Sequence, residues 1–325
     1  MSETVIEVRN LVKRYEALTA VDGISFDVYQ GEVFSLLGPN GAGKTTTVEI
    51  LECLRSMTSG EVRILGLDVE KDTLEIKDRI GVLPQDFNAF DFLTVKENIE
   101  YFGGMFDKNL PADDLIKAVD LGEKRDVWFR KLSGGLKQRV GVAISMVNDP
   151  EIIFLDEPTT GLDPRARRDV WGVIQGLKAE GKTVILTTHY MEEAEMLSDR
   201  VGIIDHGKFL TLGTPREIID EHGTGSRCVI QNCDDTCIAS LKQQWPGIER
   251  RNGDVTIKLE SKLALSEVIY AMDRSGGNYE QITVARPTLE DVFLNLTGKK
   301  LHEEDTPAPK GKKGLFTSRK QKGGT

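Results

Sequence analysis

The chain has 325 residues, 39% hydrophobic and 29% charged, with a formal net charge of −10 and a mean hydropathy of −0.28. That length exceeds one ordinary domain and suits a large core plus a smaller second unit. The acidic balance argues against general nucleic-acid binding, which needs a basic surface, and no apolar run approaches the roughly 18 residues that would span a bilayer.

The opening MSETVIEVRN lacks the basic-then-apolar pattern of a secretory leader, so a cytoplasmic protein with reduced cysteines is expected. Apolar and β-branched residues over 4–8 and 23–28 predict entry strands, and Tyr15 between them suits either packing or stacking on a purine base. The run VFSLL over 33–37 has the short apolar form of a buried strand, and 47–51 opens a helical pattern. Between them stands GPNGAGKTT, residues 38–46, which contains G-x-x-x-x-G-K followed by Thr: a P-loop between strand and helix. Gly38, Gly41 and Gly43 let the backbone curl so that successive N–H groups point inward. The helix N-terminus adds about half a positive charge where a pyrophosphate would sit. Lys44 is then placed to reach the β- and γ-phosphates, and Thr45 to offer its hydroxyl to Mg²⁺.

A strand over 61–65 follows, and another over 80–84 ends at Gln85, a polar amide that can face the nucleotide. Phe87, Phe90 and Phe92 then crowd one loop, suited either to packing on the helices expected at 95–102 and 112–121 or to a partner-binding surface. In KLSGGLKQRV, residues 131–140, Ser133 resembles an N-cap, and Gly134 and Gly135 free backbone N–H groups to meet an anion; the helix runs on to Val147. The strand IIFLDE, 152–157, ends in two acids: Asp156 can hold Mg²⁺ through water, and Glu157 can polarise an attacking water. After the loop TTGLDP, Pro164 starts a helix to about Ala179; a buried strand over 183–187 leads to His189, where ligands gather in α/β sheets. Strands over 200–204 and 208–212 and a helix from Pro215 complete this part.

The stretch EHGTGS, 221–226, reads as a boundary. Beyond it a strand (227–231), a helix (238–244), a hairpin turned by Asn252-Gly253, a helix (263–274) and a strand (279–284) give the β-α-β-β-α-β order of a ferredoxin-like unit. Cys228, Cys233 and Cys237 lie near His222, in a spacing that matches no paired zinc knuckle. A last helix over 287–296 carries Leu289, Val292, Phe293 and Leu296 at helical spacing; it either completes a separate unit or packs back on the first. After Thr297, eight basic residues against three acidic ones, with Gly and Pro, read as a disordered tail. The expected division is 1–222, 223–297 and 298–325.

Taken together, GPNGAGKT, Gln85, LSGG, IIFLDE, the Gly161-Leu162-Asp163 loop and His189 occur in the order and spacing of an ATP-binding-cassette (ABC) ATPase, which the chain resembles over residues 4 to about 220. The pairing of a P-loop with LSGG separates that family from GTPases, kinases and helicases. The closing PTLEDVFLNLTG, 287–298, looks like the exporter ATPases of the daunorubicin-resistance type. The resemblance implies an α/β P-loop cassette, with a mixed sheet core and a helical subdomain, plus a small C-terminal α+β domain for regulation or dimerisation. It implies ATP and Mg²⁺ as ligands. Tyr15 matches the adenine-stacking residue, and Gly38, Pro39, Asn40, Gly41, Ala42, Gly43, Lys44, Thr45 and Thr46 the phosphate cradle. Thr45, Gln85 and Asp156 match the Mg²⁺ set, Glu157 the catalytic base and His189 the γ-phosphate sensor, while Gln85 also links the nucleotide to the membrane partner. Ser133, Gly134, Gly135 and Asp163 belong to the nucleotide-contacting set, with Ser133 and Gly135 reaching ATP on the other subunit of a head-to-tail homodimer. Leu136 departs from the pattern, since many relatives carry glutamine there. A separately encoded permease would hold the dimer at the cytoplasmic face of a membrane; the alternative is a soluble, non-transport ABC ATPase.

Overall fold

The computed structural model describes residues 3–298 except 224, 246, 252, 253, 260 and 261. The chain opens on two twelve-residue strands, β1 (Thr4–Tyr15) and β2 (Leu18–Tyr29), paired as an antiparallel hairpin. Both outrun the expected 4–8 and 23–28. Register shifts interrupt their ladder, and Gly23 sits within β2 at a φ of 76°; each irregularity disturbs the inward-outward alternation that sequence reading depends on. β3 (Val33–Leu37), buried throughout, feeds the P-loop and α1 (Lys44–Leu51). Next come β4 (Ser59–Ile64), β5 (Leu67–Asp68), α2 (Thr73–Arg79), β6 (Ile80–Leu83), α3 (Val95–Gly103), α4 (Ala112–Ala118) and α5 (Gly134–Ile144). The cassette continues with β7 (Ile152–Asp156), α6 (Pro164–Ala179), β8 (Thr183–Thr188), α7 (Met191–Leu197), β9 (Arg200–Asp205), β10 (Lys208–Gly213) and α8 (Pro215–His222). Helices α2 and α7 have no counterpart in the sequence reading: seven residues make barely two turns, too few for a helical period to show.

Two sheets share this part. The larger has the order β10-β9-β3-β8-β7-β6, parallel except for β10; the smaller is antiparallel, β2-β1-β4-β5. Alternate residues of the central strands serve two cores. Phe34, Leu36, Ile152, Phe154 and Ile185 pack with Ile6, Val8, Phe26 and Val28 of the smaller sheet and with Val48 and Leu51 of α1. Leu83, Ile153, Leu155, Val184 and Leu186 pack on the opposite side with Ile99, Leu115, Phe129, Val140 and Ile174 of the helical layer. A strand covered on both faces must be apolar at every position, which is why these segments read as unbroken hydrophobic runs.

The C-terminal part holds β11 (Ser226–Gln231), α9 (Asp235–Gln244), β12 (Glu249–Arg251), β13 (Asp254–Leu259), α10 (Lys262–Ser275) and β14 (Gln281–Ala285). Its sheet runs β12-β13-β11-β14 with antiparallel neighbours throughout, the ferredoxin-like arrangement of β-α-β-β-α-β. Cys228, Cys233 and Cys237 are buried in its own core with Ile257, Val268 and Met272. Burial, with Cys237 beside it, pushes the Cys233 thiol up to about 12, an environment that keeps a thiol unreactive. The Asn252-Gly253 turn and the tail over 299–325 lie outside the described residues.

The last helix, α11 (Leu289–Thr297), takes the second of the two placements its pattern allowed. Leu289, Val292 and Phe293 are buried with Leu37, Ala194, Val201, Ile203 and Ile218 of the cassette, not in the core of the C-terminal sheet. Asn295 Nδ2 donates to the His222 carbonyl at 3.1 Å, and Asp291 pairs with Arg227 of β11, so α11 is tied to both parts. Phe293→Ala is expected to destabilise the cassette by about 3–5 kcal/mol, the usual cost of removing a buried ring. Denaturant unfolding monitored through ATP-analogue binding measures it. A loss confined to the C-terminal sheet, with the cassette's midpoint unchanged, would contradict the shared core.

Candidate nucleotide-binding and hydrolysis site

The register of the parallel strands builds the site. Leu37 lies opposite Thr188, Thr187 opposite Asp156, and Leu155 opposite Leu83, so the segments carrying the P-loop, His189, Asp156-Glu157 and Gln85 all leave the same end of the sheet. Crowding dictates two of the P-loop glycines. A Cβ on Gly38 would stand 2.2 Å from the Ile204 carbonyl oxygen, and one on Gly43, at a φ of 106°, would stand 2.4 Å from that of Ala20. Ala42 accepts a hydrogen bond from Gly207 N at 2.9 Å, and Gly207 in turn accepts one from Asp22 N at 2.9 Å, which fastens the loop to the β1-β2 hairpin. Tyr15 ends β1 on that hairpin. Its half-buried ring is flanked by Lys13 Nζ at 5.1 Å and Arg55 Cζ at 5.4 Å from its centre, and so faces cations.

Lys44 and Glu157 meet at the centre. Lys44 Nζ donates to the carbonyls of Gly38 (2.9 Å) and Pro39 (3.2 Å) and lies 3.4 Å from Glu157 Oε1, with both side chains almost wholly buried. Glu157 adopts a φ of 48°, a left-handed conformation uncommon in a glutamate and held here by Thr187, whose carbonyl and hydroxyl both accept from its N–H. Its other oxygen, Oε2, accepts from Gln85 Nε2 (3.3 Å) and Thr160 Oγ1 (3.1 Å) and lies 3.2 Å from His189 Nδ1. Burial would lift this carboxyl, but His189, Lys44 and Thr160 outweigh it and hold the group down to about 2. Asp156 moves the other way: burial, reinforced by the Glu157 charge, raises it against the opposing pull of Thr187, Lys44 and Thr45. Two adjacent carboxyls are thus set apart in proton affinity, the pattern of groups with separate chemical tasks.

Thr45 and Asp156 supply a hydroxyl and a carboxylate, hard oxygen donors of the kind Mg²⁺ takes together with phosphate oxygens and water. The raised proton affinity of Asp156 shows a buried carboxyl with less positive charge around it than it needs, a deficit a divalent cation would fill. The residues therefore fit the metal. Gln85 presents its amide nitrogen to Glu157, leaving the amide oxygen as its atom for a cation.

Ser133, Gly134, Gly135 and Asp163 stand outside the cluster around Glu157. Ser133 occupies the N-cap of α5 as expected, yet its exposed side chain makes no capping bond, whereas Thr94, Thr214 and Thr288 each close a full capping box. Gly135 is required by its neighbour, since a Cβ there would come within 2.6 Å of Ala166 Cβ on α6. Leu136 packs against the helical core, which explains an apolar residue at that position. Asp163 Oδ1 caps α6, accepting from Arg165 N (3.0 Å) and Ala166 N (2.9 Å).

Sequence reading passed over two residues here. Thr187 Oγ1 accepts from Glu157 N and donates to Asp156 Oδ1, orienting both acids; in the sequence it is one β-branched residue of a buried strand. Glu193, fully buried, accepts from Thr159 Oγ1 and Trp171 Nε1, both at 2.8 Å, and ties the loop after Glu157 to α6 and α7; it reads as an ordinary first-turn acid.

The family model for ABC transporters matches residues 21–160. The chain is 38% identical to the daunorubicin resistance ATP-binding protein DrrA3 of Streptomyces coeruleorubidus, over 92% of this chain and 97% of that one. It is also 38% identical to the Nod factor export ATP-binding protein I of Ralstonia nicotianae, over 93% and 96% respectively. The chain belongs to the ABC transporter ATP-binding family. Its cassette superposes on the dimeric ATP-binding cassette MJ0796, solved in a post-hydrolysis state with ADP and Pi, with a TM-score of 0.58 and 27% identity over 64% of this chain and 98% of that one. The protein is thus an ABC ATPase with the P-loop fold, and among its described residues no helix is long and apolar enough to cross a membrane.

For this ABC ATPase, Thr187→Val should leave ATP affinity nearly unchanged and lower turnover by about 10- to 100-fold, the usual effect of losing a residue that orients a metal-binding carboxylate. Phosphate release and nucleotide binding, measured side by side, check it. The pH dependence has a definite sign. Because the folded-state value of Glu157 lies below its ordinary 4.5, its ionised form contributes stability that is present above the unfolded value and lost as pH falls from 4.5 through about 2. Acid titration of unfolding should therefore show a steeper loss for the wild type than for Glu157→Gln over that window.

Proposed function

We propose that the protein is the ATPase subunit of an exporter, in which two copies close head to tail around two ATP molecules and drive a separate permease. The observation that carries this reading is the division of the phosphate-binding equipment. Lys44, Asp156, Glu157 and His189 gather at one end of the sheet, while the α5 N-terminus stands apart with the Ser133 hydroxyl exposed and not used as a cap. A second copy would bring Ser133 and Gly135 to the γ-phosphate held by the first. The relatives' names, which refer to daunorubicin resistance and Nod factor export, support an exporter.

In that assembly Tyr15 stacks on adenine, the N–H groups over 38–46 surround the phosphates, and Thr45 and Asp156, with the Gln85 oxygen, hold Mg²⁺. When bound, the metal would supply positive charge against the charge that develops on the phosphates. Lys44 turns from Glu157 to the phosphates. Glu157 loses a cation at that moment, becomes a stronger base, and takes a proton from the attacking water, while His189 stays beside the γ-phosphate. Loss of that phosphate removes what joins the two copies, so closure follows the nucleotide.

Of the three loop phenylalanines, the one that packs into the helical layer also lines a groove, and the two exposed ones do not. Phe87 packs edge-on against Phe129 in the helical layer, whereas Phe90 and Phe92 are exposed, Phe92 beneath the Arg130 guanidinium. Beside Gln85 opens a groove of about 510 Å³ lined by Phe87, Phe102, Met105 and Phe106, which we assign as the permease's seat. The protein would then sit at the cytoplasmic face of the membrane. The ferredoxin-like sheet would act as the regulatory or dimerising unit of 223–297, with the basic segment 298–325 beyond it.

Mixing Lys44→Ala with Ser133→Arg subunits tests the assembly. Both defects fall on one composite site of the heterodimer and leave the other intact, so ATP turnover should return to a large fraction of the wild type, read from phosphate release. Verified heterodimers with no activity would count against shared sites. Copurification of an integral membrane protein with the wild type, lost in Met105→Asp, tests the transport role.

A further inference from the structure

The same groove holds a carboxyl group that neither hydrolysis nor the fold employs. Glu52 follows α1 directly and lines the groove, yet its side chain is only 5% exposed and its Oε1 has no hydrogen-bond partner. Buried acids elsewhere in the cassette have a partner for at least one oxygen: Glu193 Oε1 accepts from Thr159 and Trp171, although its Oε2, like Glu52 Oε1, has none, and Glu157 pairs with Lys44. Around Glu52 the charges have the wrong sign for it. Burial first, then Asp156 of β7 and Glu49 of its own helix, push its carboxyl up to about 8. Arg55 already pairs with Glu49 at 2.6 Å, and Lys77 of α2, which lines the groove together with Asp86, forms no ion pair with Glu52 among the described residues.

An unpartnered buried carboxyl is unfavourable in the free subunit, and whatever fills the groove decides whether it remains so. An apolar side chain at this point would leave Oε1 unsatisfied. An acidic one would set a second carboxyl against Glu52. A basic one can give Oε1 its missing partner while its aliphatic stem lies along Phe87, Phe102, Met105 and Phe106.

We infer that Glu52 is a recognition residue for the docking partner: the permease segment seated in the groove carries a Lys or Arg among apolar side chains, and that cation pairs with the Glu52 carboxylate. The inference rests on the groove being the permease's seat, and it adds the charge that the permease segment must bring.

Short synthetic amphipathic helices that differ at one central apolar-face position, carrying Arg, norleucine or Glu there, test it against the full-length protein by fluorescence anisotropy. ATP-analogue binding and thermal unfolding confirm that each variant is folded. Wild type should bind the Arg peptide about tenfold more tightly than the norleucine peptide, the scale of one charge-assisted hydrogen bond. Glu52→Gln should erase that advantage, and Glu52→Lys should transfer the preference to the Glu peptide, a reversal that a merely structural glutamate would not produce. Equal binding of the Arg and norleucine peptides, abolished by Met105→Asp, would overturn the role of Glu52 while leaving the groove as a docking seat. Absence of binding by every peptide, or binding indifferent to Met105→Asp, would overturn both.

Discussion

A buried ion pair between Lys44 and Glu157 joins the P-loop to the end of β7, and the groups around it are arranged to complete both charges. Two buried opposite charges are stable only when further hydrogen bonds complete them. Gly38 and Pro39 carbonyls do so for the lysine, and Gln85 and Thr160, with His189 in ion-pair range, do so for the glutamate. Gly38 and Pro39 share the loop after β3, while Gln85, Thr160 and His189 follow three other strands of the large sheet. Their convergence therefore depends on strand register, and a shift of one residue in β7 or β8 would turn Asp156 or Thr187 to the opposite face.

The motifs that announce this chemistry were legible because backbone geometry demands them. Gly38 and Gly43 are excluded from carrying side chains by the carbonyls of Ile204 and Ala20, and such exclusions leave an unmistakable spacing in a sequence. The buried strands β3, β7 and β8 were legible too, since a strand covered on both faces has one kind of residue throughout. Thr187 and Glu193 were not. Their roles come from partners about 30 residues or more away in the chain for Thr187 and about 20 to 35 for Glu193, and their own residue types are ordinary for a strand and a helix start. The lengths of β1 and β2 escaped for a local reason, the irregular ladder between them.

The placement of α11 shows how an amphipathic pattern can be correct while its destination stays open. Leu289, Val292 and Phe293 required a partner surface, and helical spacing alone does not name one. The cassette supplies it, and the contact includes Leu37, the last residue of β3 before the P-loop begins. Through Arg227 and Asp291 the same helix is joined to the ferredoxin-like sheet. A change in how that sheet is held would thus reach the strand that carries the phosphate loop by way of one helix.

The clamping of the P-loop also bears on how quickly and how selectively a ligand is taken. Backbone on both sides, Ala20 and Gly207 at one end and Ile204 at the other, leaves the loop little freedom to lose when it is filled. The hairpin bearing Tyr15 is bolted to the same loop through Asp22, Gly207 and Ala42, so ring and cradle keep a set separation. With Tyr15 in its proposed place on the base, the chain would work as a gauge: a triphosphate whose base lies at the matching reach would fit both ends without rearrangement, and a ligand too short to touch both would gain from only one.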